Sequence, residues 1–457
     1  MKKKRTRESK SMDTPLYIDI YNKIERLISS GDLLPGERLS GKRELAKKEG
    51  VSLNTVIAAY DLLAKNGLIY SIERRGYYVA GDEAERSFKG GDWSKPNSKK
   101  YVFSINSNGV NKLTKKLLRA HHDTEYEIEN RLTGYKEYTG SALLRERICE
   151  YLYKTRHISC TSEQIIPAAG LNDLLNLISR LFPYSAIYAF EDPTEKKAMF
   201  ALTGGRNMRM IAAGHSGIDI DRLRAANADV LFCMPEKQYP IGYRTELPKR
   251  CDLLEWCGND KYIIEYGLYA EYCFNEPLPS LYELDNGKHV IYVNTLDKVI
   301  APGVSIAYMV LPEQLVSLFK DRLWYHHSYI SEYDSLLISE FIGNGGIYSN
   351  IKRMKRIYEK KCAAALEELN ALPFRDRLSV IGEKTAAFFG LFAHTDKSGY
   401  ELMAKAAELD IKLLPVSCYE LHNNNRSTTF AFGYAELSEA DIREGVRLIG
   451  EAWDGML

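Results

Sequence analysis

The pattern of apolar positions predicts a small helical region at the start of the chain. Four apolar side chains lie at helical spacing in the first segment: Tyr17, Ile20, Ile24 and Leu27. The Pro35-Gly36 turn ends this helix, and a second short helix is predicted over residues 42–48. Gly50 ends the second helix, and Ser52 is suited to cap a third helix over residues 53–66. Two short helices joined by a glycine-containing turn are typical of a helix-turn-helix.

Two short apolar runs follow the third helix and predict a β-hairpin. They cover residues 67–70 and 77–79, and they flank the polar turn 73–76. Arg74 and Arg75 lie at the tip of this hairpin, where a wing meets DNA phosphates or a minor groove. The first region therefore predicts a winged helix-turn-helix domain over residues 12–81.

Apolar runs and amphipathic helices alternate along the second, longer part of the chain. Four runs have the continuous apolar character of buried parallel strands: residues 187–190, 230–234, 262–264 and 289–293. Helical periodicity lies between them, for example over residues 143–155 and 171–181. This alternation predicts a large doubly wound α/β domain. A long charged helix over residues 351–369 then leads into a smaller C-terminal α/β lobe.

A polar segment without periodicity, residues 82–100, is predicted to be a linker, which places the second domain at 101–457. The whole chain carries 62 basic and 61 acidic side chains, of which residues 1–81 hold 16 and 10. The remainder holds 46 basic and 51 acidic side chains, so a basic region precedes a mildly acidic body. This asymmetry suits nucleic-acid binding, although a solvated basic tail over the first ten residues would produce much of the same excess.

Composition argues against membrane, secreted and metal-binding classes. The chain has no run of 18 apolar residues and no apolar signal-peptide core, so we expect a cytoplasmic protein without membrane contact. Its eight cysteines are scattered without zinc spacing, which indicates reduced thiols. The adjacent His326 and His327, near Glu332 and Asp334, point apart on one element, so no metal site is predicted there.

Polar side chains at the start of the third helix are the candidates for reading DNA bases. A helix that served the core alone would not need Ser52, Asn54 and Thr55 at this end. Residues 35–79 resemble the winged helix-turn-helix of GntR-type bacterial regulators, which implies that Arg43, the third helix and the wing contact DNA. Leu53 replaces an arginine of that pattern, and residues 39–43 read Leu-Ser-Gly-Lys-Arg in place of Leu-Pro-Ser-x-Arg. The predicted DNA-contacting residues are Arg38, Arg43, Ser52, Asn54, Thr55, Arg74, Arg75 and Gly76.

Nine short motifs in the second domain resemble those of fold-type I aminotransferases, specifically of the regulators called MocR. The first motif consists of Tyr135, Gly140, Leu144-Arg145 and residues 156–158, and the last motif consists of residues 432–435. The motifs between them lie at residues 169–170, 191–193, 235–242, 263–265, 277–281, 292–303 and 353–358. The resemblance implies a large doubly wound sheet with a smaller C-terminal lobe, a homodimer that builds its site between subunits, and pyridoxal phosphate as cofactor.

The same resemblance implies which residues would hold pyridoxal phosphate and shows which of them have changed. Lys298 matches the lysine that forms the imine, Gln238 matches a polar amide facing the phenolate oxygen, and Gly170 begins a helix suited to the phosphate. Four other positions depart from the family pattern: Tyr266 for the pyridine aspartate, Leu268 for a tyrosine, Asp297 for a serine and Ser305 for an arginine. We therefore expect weak cofactor binding at best, no transamination and no catalytic residue. Lys298 would alternatively be an inherited lysine paired with Asp297 or Glu265.

These observations predict a transcriptional regulator that binds a double-stranded DNA operator as a homodimer. Its aminotransferase-like domain would dimerise and sense a small-molecule effector. Two alternatives stay open: an aminotransferase fused to a DNA-binding module, and a DNA-binding dimer that senses no ligand. The operator, the effector and the direction of regulation are not determined by the sequence.

Overall fold

The structure, a computed structural model, describes residues 16–29, 33, 38–65, 68–72, 76–79, 99–105, 117, 138–214, 217–419 and 428–457. The chain divides into two units, Met1–Pro96 and Asn97–Leu457. This division falls inside residues 82–100, the segment that the composition predicts as a linker.

The first unit contains three helices and a two-stranded antiparallel sheet. Its elements are α1 (Leu16–Ser29), α2 (Lys42–Glu49), α3 (Leu53–Lys65), β1 (Ile69–Ile72) and β2 (Gly76–Val79). Gly50 ends α2 in the left-handed conformation, at φ 65°, and its N–H donates to Ala46 O. Apolar side chains from all five elements build the core, including Ile24, Tyr60 and Val79, and Val51 in the α2–α3 turn packs against it. The predicted winged helix-turn-helix is confirmed, with β1 lying two residues further along the chain than its apolar run indicated.

The second unit contains a mixed eight-stranded sheet with the order β4-β11-β10-β9-β8-β5-β6-β7. Its strands are β4 (Ile165–Ala168), β5 (Tyr188–Asp192), β6 (Met208–Gly214), β7 (Gly217–Ile218), β8 (Val230–Cys233), β9 (Tyr262–Tyr266), β10 (Val290–Thr295) and β11 (Ala307–Val310). The four strands expected from apolar runs, β5, β8, β9 and β10, lie side by side and parallel, as predicted. The strand β11 is antiparallel to both of its neighbours, β10 and β4.

Helices connect these strands and lead from the sheet to the C-terminal lobe. They are α4 (Ala142–Arg156), α5 (Leu171–Ser179), α6 (Lys196–Thr203), α7 (Ile220–Ala225), α8 (Leu247–Cys257), α9 (Leu281–Leu284), α10 (Glu313–Leu323), α11 (Glu332–Gly343) and α12 (Gly346–Ala371). The helix α12 begins five residues before the charged stretch predicted for it.

The smaller C-terminal lobe contains a four-stranded antiparallel sheet with the order β12-β13-β16-β15. Its elements are β12 (Leu378–Ile381), β13 (Phe388–Ala393), α13 (Gly399–Glu408), β14 (Ile411–Lys412), β15 (Leu414–Pro415), β16 (Thr429–Gly433) and α14 (Glu439–Trp453). The strand β14 pairs in parallel with β3 (Tyr101–Val102), so the chain enters this lobe before it builds the large sheet. The short strand β3 was not predicted, because two residues carry no periodic signal.

The loop 235–245 packs the large sheet against the C-terminal lobe. Lys237 is buried, and its Nζ donates hydrogen bonds to Gly382 O at 2.7 Å and Thr385 O at 3.1 Å. Burial lowers the pKa of Lys237 to about 7. Gly382, at φ 81°, permits this contact, because a β-carbon there would overlap the carbonyl oxygen of Gly242. The backbones of the loop and of the turn after β12 therefore lie in direct contact.

A buried ion cluster fixes the other side of this loop. Glu236 Oε1 accepts from Arg156 Nη2 at 2.6 Å and from Arg250 Nη1 at 3.0 Å, and all three side chains are nearly inaccessible to solvent. Burial raises the pKa of the Glu236 carboxyl, but the two guanidinium groups outweigh it, so the pKa lies below its ordinary value. Arg250 also donates to Pro279 O at 2.7 Å. The cluster thereby joins α4, α8 and the segment before α9.

We predict that Glu236→Ala lowers the free energy of unfolding by about 3–5 kcal/mol, because it leaves two buried guanidinium groups without their carboxylate. The matched control is Glu255→Ala, which removes the carboxylate of the exposed Arg224–Glu255 pair at 3.1 Å. That change should cost less than about 1 kcal/mol. Urea denaturation of both variants measures the difference. Equal losses would show that the cluster contributes no more than a surface ion pair.

Candidate DNA interface and ligand cavity

The predicted base-reading residues lie at the start of α3, on the surface of the first unit. Ser52 and Asn54 are exposed, and Thr55 is half-buried. Ser52 Oγ accepts from the N–H of Thr55 at 3.1 Å and lies 2.8 Å from its hydroxyl oxygen, so Ser52 caps the helix as predicted. Asn54 presents its amide to solvent at the same helix end, while Arg43 is exposed on the first turn of α2.

The structure brings two further predicted residues together at the base of the wing. Arg38 forms an isolated antiparallel bridge with Tyr78, and its guanidinium lies over Gly76. A β-carbon at Gly76, which has φ 115°, would lie 3.3 Å from Arg38 Nε. The ammonium of Lys42 lies 4.6 Å from the centre of the Tyr77 ring, which adds a cation beside the wing that sequence reasoning missed. Arg74 and Arg75 lie outside the described residues.

A cavity of about 410 Å³ lies in the second unit at the carboxyl end of β10 and the start of α5. Six of the positions that the aminotransferase resemblance singled out line it: Gly170, Tyr266, Leu268, Asp297, Lys298 and Ser305. Ligands of α/β folds bind at this edge of the sheet, because loops from several strands converge there. The strands β9 and β10 thus place Tyr266 and Lys298 on the walls of one cavity.

Lys298 is engaged in an ion pair inside this cavity. Its Nζ lies 2.8 Å from Asp297 Oδ2. Glu265, the other partner considered, accepts instead from the backbone N–H groups of Leu281 and Tyr282 at 3.0 and 2.9 Å. Of the two predicted partners, the structure therefore selects Asp297.

An unsatisfied oxygen atom and tyrosines make up much of the remaining wall. Asp297 Oδ1 is buried and has no hydrogen-bond partner among the described residues. Burial, with the nearby charges of Glu195 and Asp297, raises the pKa of Tyr266 well above its ordinary value. Burial likewise raises the pKa of the Glu195 carboxyl, against the opposing charge of Lys298. Tyr266 therefore presents a neutral phenol where the aminotransferase pattern has a carboxylate.

The structure does not place Gln238 among the residues that line this cavity. Gln238 is completely buried, its Nε2 donates to Pro193 O at 2.6 Å, and its Oε1 accepts from the N–H of Ile241 at 3.2 Å. Both ends of its amide are thus used inside the protein. The next residue, Tyr239, lines the cavity in its place. Sequence position alone could not decide between two adjacent polar residues of one loop.

The start of α5 faces the cavity at the place predicted for a phosphate. Gly170 is the N-cap residue of this helix, at φ 102°, and no side chain caps the helix there. The next two residues, Leu171 and Asn172, also line the cavity. However, Asp173 Oδ2 accepts from the N–H of Ala169 at 3.2 Å, which places a carboxylate at this same helix end. Ser305 supplies a neutral side chain where the family has an arginine, so the helix end is less suited to a dianion than the resemblance implied.

The described part of the chain offers neither a metal-binding cluster nor a membrane-spanning helix. Within it, no group of three or more His, Cys, Asp and Glu side chains is placed to hold a metal ion. Its helices include none that combines the length and the apolar character needed to cross a membrane.

Comparison with known proteins shows what each unit is similar to. Residues 16–79 match the family of bacterial regulatory proteins named gntR. The chain is 29% identical to the uncharacterized HTH-type transcriptional regulator YdeL of Bacillus subtilis (strain 168), over 97% of this chain and 98% of YdeL. It is 26% identical to the probable rhizopine catabolism regulatory protein MocR of Rhizobium meliloti, over 96% of this chain and 94% of MocR.

The second unit is similar to solved aminotransferases. The α-aminoadipate aminotransferase LysN of Thermus thermophilus, solved with N-(5'-phosphopyridoxyl)-L-leucine, superposes with a TM-score of 0.67 and 24% identity. The match covers 78% of this chain and 92% of LysN, and it establishes the fold of the second unit. The protein thus joins a domain that matches the gntR family of bacterial regulatory proteins to a domain with the aminotransferase fold, and its relatives over nearly the full length include a protein named as an HTH-type transcriptional regulator.

Proposed function

We propose that this protein is a cytoplasmic transcriptional regulator that binds operator DNA as a homodimer and senses a small molecule in the cavity of its second unit. The observation that carries the proposal is the Lys298–Asp297 ion pair at 2.8 Å, inside a fold that otherwise keeps the shape of an aminotransferase. A carbonyl ligand would have to displace this ion pair before the Lys298 nitrogen could form an imine. The cavity is therefore suited to reversible binding and not to imine chemistry.

DNA binding is assigned to the exposed cations and amides of the first unit. Arg43 and Asn54 are accessible at the ends of α2 and α3 that a helix-turn-helix presents to a major groove. Arg38 and Lys42 lie beside the wing, where they suit contacts with phosphates. Base specificity then comes from the few side chains at the start of α3.

We predict that Arg43→Ala weakens operator binding about tenfold or more, because it removes a charged contact without disturbing a buried group. The operator is first selected from a pool of random duplexes with the full-length protein. Dissociation constants are then measured for both proteins over a range of salt concentrations. The control is Arg375→Ala, which removes an exposed arginine of the second unit and should leave affinity unchanged. Equal affinities of wild type and Arg43→Ala would remove Arg43 from the interface.

Effector sensing is assigned to the cavity at Lys298. Its volume of about 410 Å³ lies in the range of small-molecule sites. The unpaired carboxylate oxygen Asp297 Oδ1 favours a ligand that donates a hydrogen bond, because leaving it buried and unpaired costs free energy. A ligand that binds one arrangement of the dimer better than another shifts the population of arrangements and so changes operator affinity.

Pyridoxal phosphate does not fit the residues of this cavity as a catalytic cofactor. When bound to an aminotransferase, it supplies an electron sink that depends on a protonated ring nitrogen. Tyr266 offers that nitrogen a neutral phenol, and Asp297 and Asp173 add negative charge near the place of a phosphate. We therefore propose weak binding of this cofactor at best and no transamination. The second candidate function, transamination, is favoured by one observation: Lys298 lines the cavity beside the start of α5.

We predict that titration with pyridoxal phosphate produces little imine absorbance in the wild-type protein and more in Asp297→Ser, since that change frees the Lys298 amine. Lys298→Ala should abolish any such signal. Lys197→Ala, which removes the other cavity lysine, serves as the control and should behave as the wild type. Tight stoichiometric binding by the wild type, lost in Lys298→Ala and followed by half-transamination of an amino acid, would support the enzyme and contradict the regulator proposal.

Dimerisation is assigned to an aromatic surface between α10 and α11. Trp324 is 70% exposed and Tyr329 is 75% exposed, with Tyr325 beside Trp324. Clustered exposed aromatic side chains mark interaction surfaces, and a two-fold dimer buries the same surface of both subunits. The aromatic surface lies in the second unit, where the family resemblance places the dimer contact.

We predict that the double variant Trp324→Glu/Tyr329→Glu dissociates the dimer at micromolar concentration, because it introduces buried charges into the contact. Sedimentation velocity of the full-length proteins measures this change. The control is Tyr184→Glu, which alters a side chain that is 78% exposed elsewhere in the same unit. A wild-type monomer would contradict the dimer itself, and a dimeric double variant would place the interface on another surface.

A further inference from the structure

Two cysteines of the second unit lie close enough for their sulfur atoms to interact. Cys149 lies within α4, and Cys160 lies in the segment between α4 and β4. Their Sγ atoms are 3.7 Å apart, and both side chains are half-buried. We infer that Cys149 and Cys160 form a redox-active dithiol, a modification site that converts reversibly to a disulfide. The inference does not depend on DNA binding or on the ligand cavity.

The path of the chain holds the two thiols together. The helix α4 ends at Arg156, and His157 adopts the left-handed conformation at φ 55°. This reversal directs the following residues back along the helix, so Cys160 meets a residue eleven positions earlier. Arg156 is anchored by Glu236, and Gln164 Nε2 donates to Leu311 O at 2.9 Å. Both ends of the segment are therefore fixed, and the thiols stay adjacent without a covalent bond.

The two thiols have different roles in the chemistry. Cys160 donates a hydrogen bond to Cys149 Sγ. This bond, assisted by the charge of Arg145 and opposed by burial, lowers the pKa of Cys149. The same interaction, together with burial, raises the pKa of Cys160. Cys149 is therefore the thiolate that attacks first, and Cys160 is the thiol that resolves the product.

A hydroperoxide is the chemical class of oxidant that this pair suits. The Cys149 thiolate attacks one peroxide oxygen, the O–O bond breaks, and the other oxygen leaves as an alcohol or as water after taking up a proton. Cys149 is thereby oxidised to a sulfenic acid. Cys160 then attacks the Cys149 sulfur, the S–O bond breaks, and the hydroxyl leaves as water with the Cys160 proton. The two sulfurs lose two electrons in total, which the peroxide gains, and a reducing dithiol restores both thiols.

The remaining six cysteines do not share this arrangement. Five of them are buried: Cys233, Cys257, Cys273, Cys362 and Cys418. Cys251 is exposed on α8 and serves as a matched control for general thiol oxidation. Cys149 and Cys160 are the pair of sulfurs that forms a thiol–thiol hydrogen bond in the described part of the chain.

Peptide mapping of the full-length protein tests this inference. The protein is treated with a small excess of hydrogen peroxide, its free thiols are alkylated, and it is digested with trypsin. Cleavage after Arg147, Lys154, Arg156 and Arg180 places the two cysteines on separate peptides, 148–154 and 157–180. We expect these peptides to be linked, with a mass about 2 Da below the sum of the two, and to separate after reduction.

Serine variants distinguish the two roles. In Cys160→Ser, the oxidation of Cys149 should stop at the sulfenic acid, which dimedone traps. In Cys149→Ser, Cys160 should remain available for alkylation after peroxide treatment. Cys251→Ser should form the 149–160 link as the wild type does. Unlinked peptides in the treated wild type, or links from Cys149 to any other cysteine, would overturn the inference, and this readout does not require any variant to fold.

Discussion

The buried cluster of Glu236, Arg156 and Arg250 is the interaction on which the geometry of the second unit depends. One carboxylate oxygen holds two guanidinium groups that come from separate helices, at 2.6 and 3.0 Å. The loop that carries Glu236 also carries Lys237, which binds the C-terminal lobe, and Tyr239, which lines the cavity. Two functions of this loop, the contact with the lobe and the lining of the cavity, therefore rely on one electrostatic anchor. Such a cluster is costly to desolvate and still more costly to break, which makes it a rigid reference point.

The cavity combines the aminotransferase fold with side chains that differ from the aminotransferase pattern. The strands β9 and β10 place residues 266 and 298 around one cavity, so the backbone geometry of an aminotransferase is kept. At two positions that the family resemblance singled out, this cavity is lined by Tyr266 and Ser305, where the aminotransferase pattern has an aspartate and an arginine. Lys298 instead finds its counterion in the preceding residue. Function follows from the chemistry of such positions and not from the fold alone.

The two thiols of the proposed dithiol are brought together by the path of the chain and not by a recognisable spacing in the sequence. Scattered cysteines in the sequence indicate isolated reduced thiols, and no spacing rule connects positions 149 and 160. Their approach arises from the left-handed residue at the end of α4, which reverses the chain. The reduced state and the proposed disulfide therefore differ by a local covalent change on a segment that is already held in place.

The sequence by itself determined the elements whose signals are local. Periodic apolar residues, Gly50 and the Ser52 cap specify the winged helix-turn-helix, and continuous apolar runs specify β5, β8, β9 and β10. The resemblance also located Lys298, Tyr266 and Ser305 before their positions in space were known. Local signals suffice in these cases because helix caps, turns and buried strands depend on residues near one another in the chain.

Only the tertiary structure decided which residues far apart in the chain come into contact, and which of several candidate residues takes part in a contact. It paired β3 with β14 across about three hundred positions, selected Asp297 over Glu265 as the partner of Lys298, and turned Tyr239 toward the cavity in place of Gln238. Each of these choices depends on which groups remain unsatisfied after the backbone has packed. That information is absent from spacing and composition, because an amide, a phenol or a carboxylate finds its partner only when the surrounding elements have taken their places.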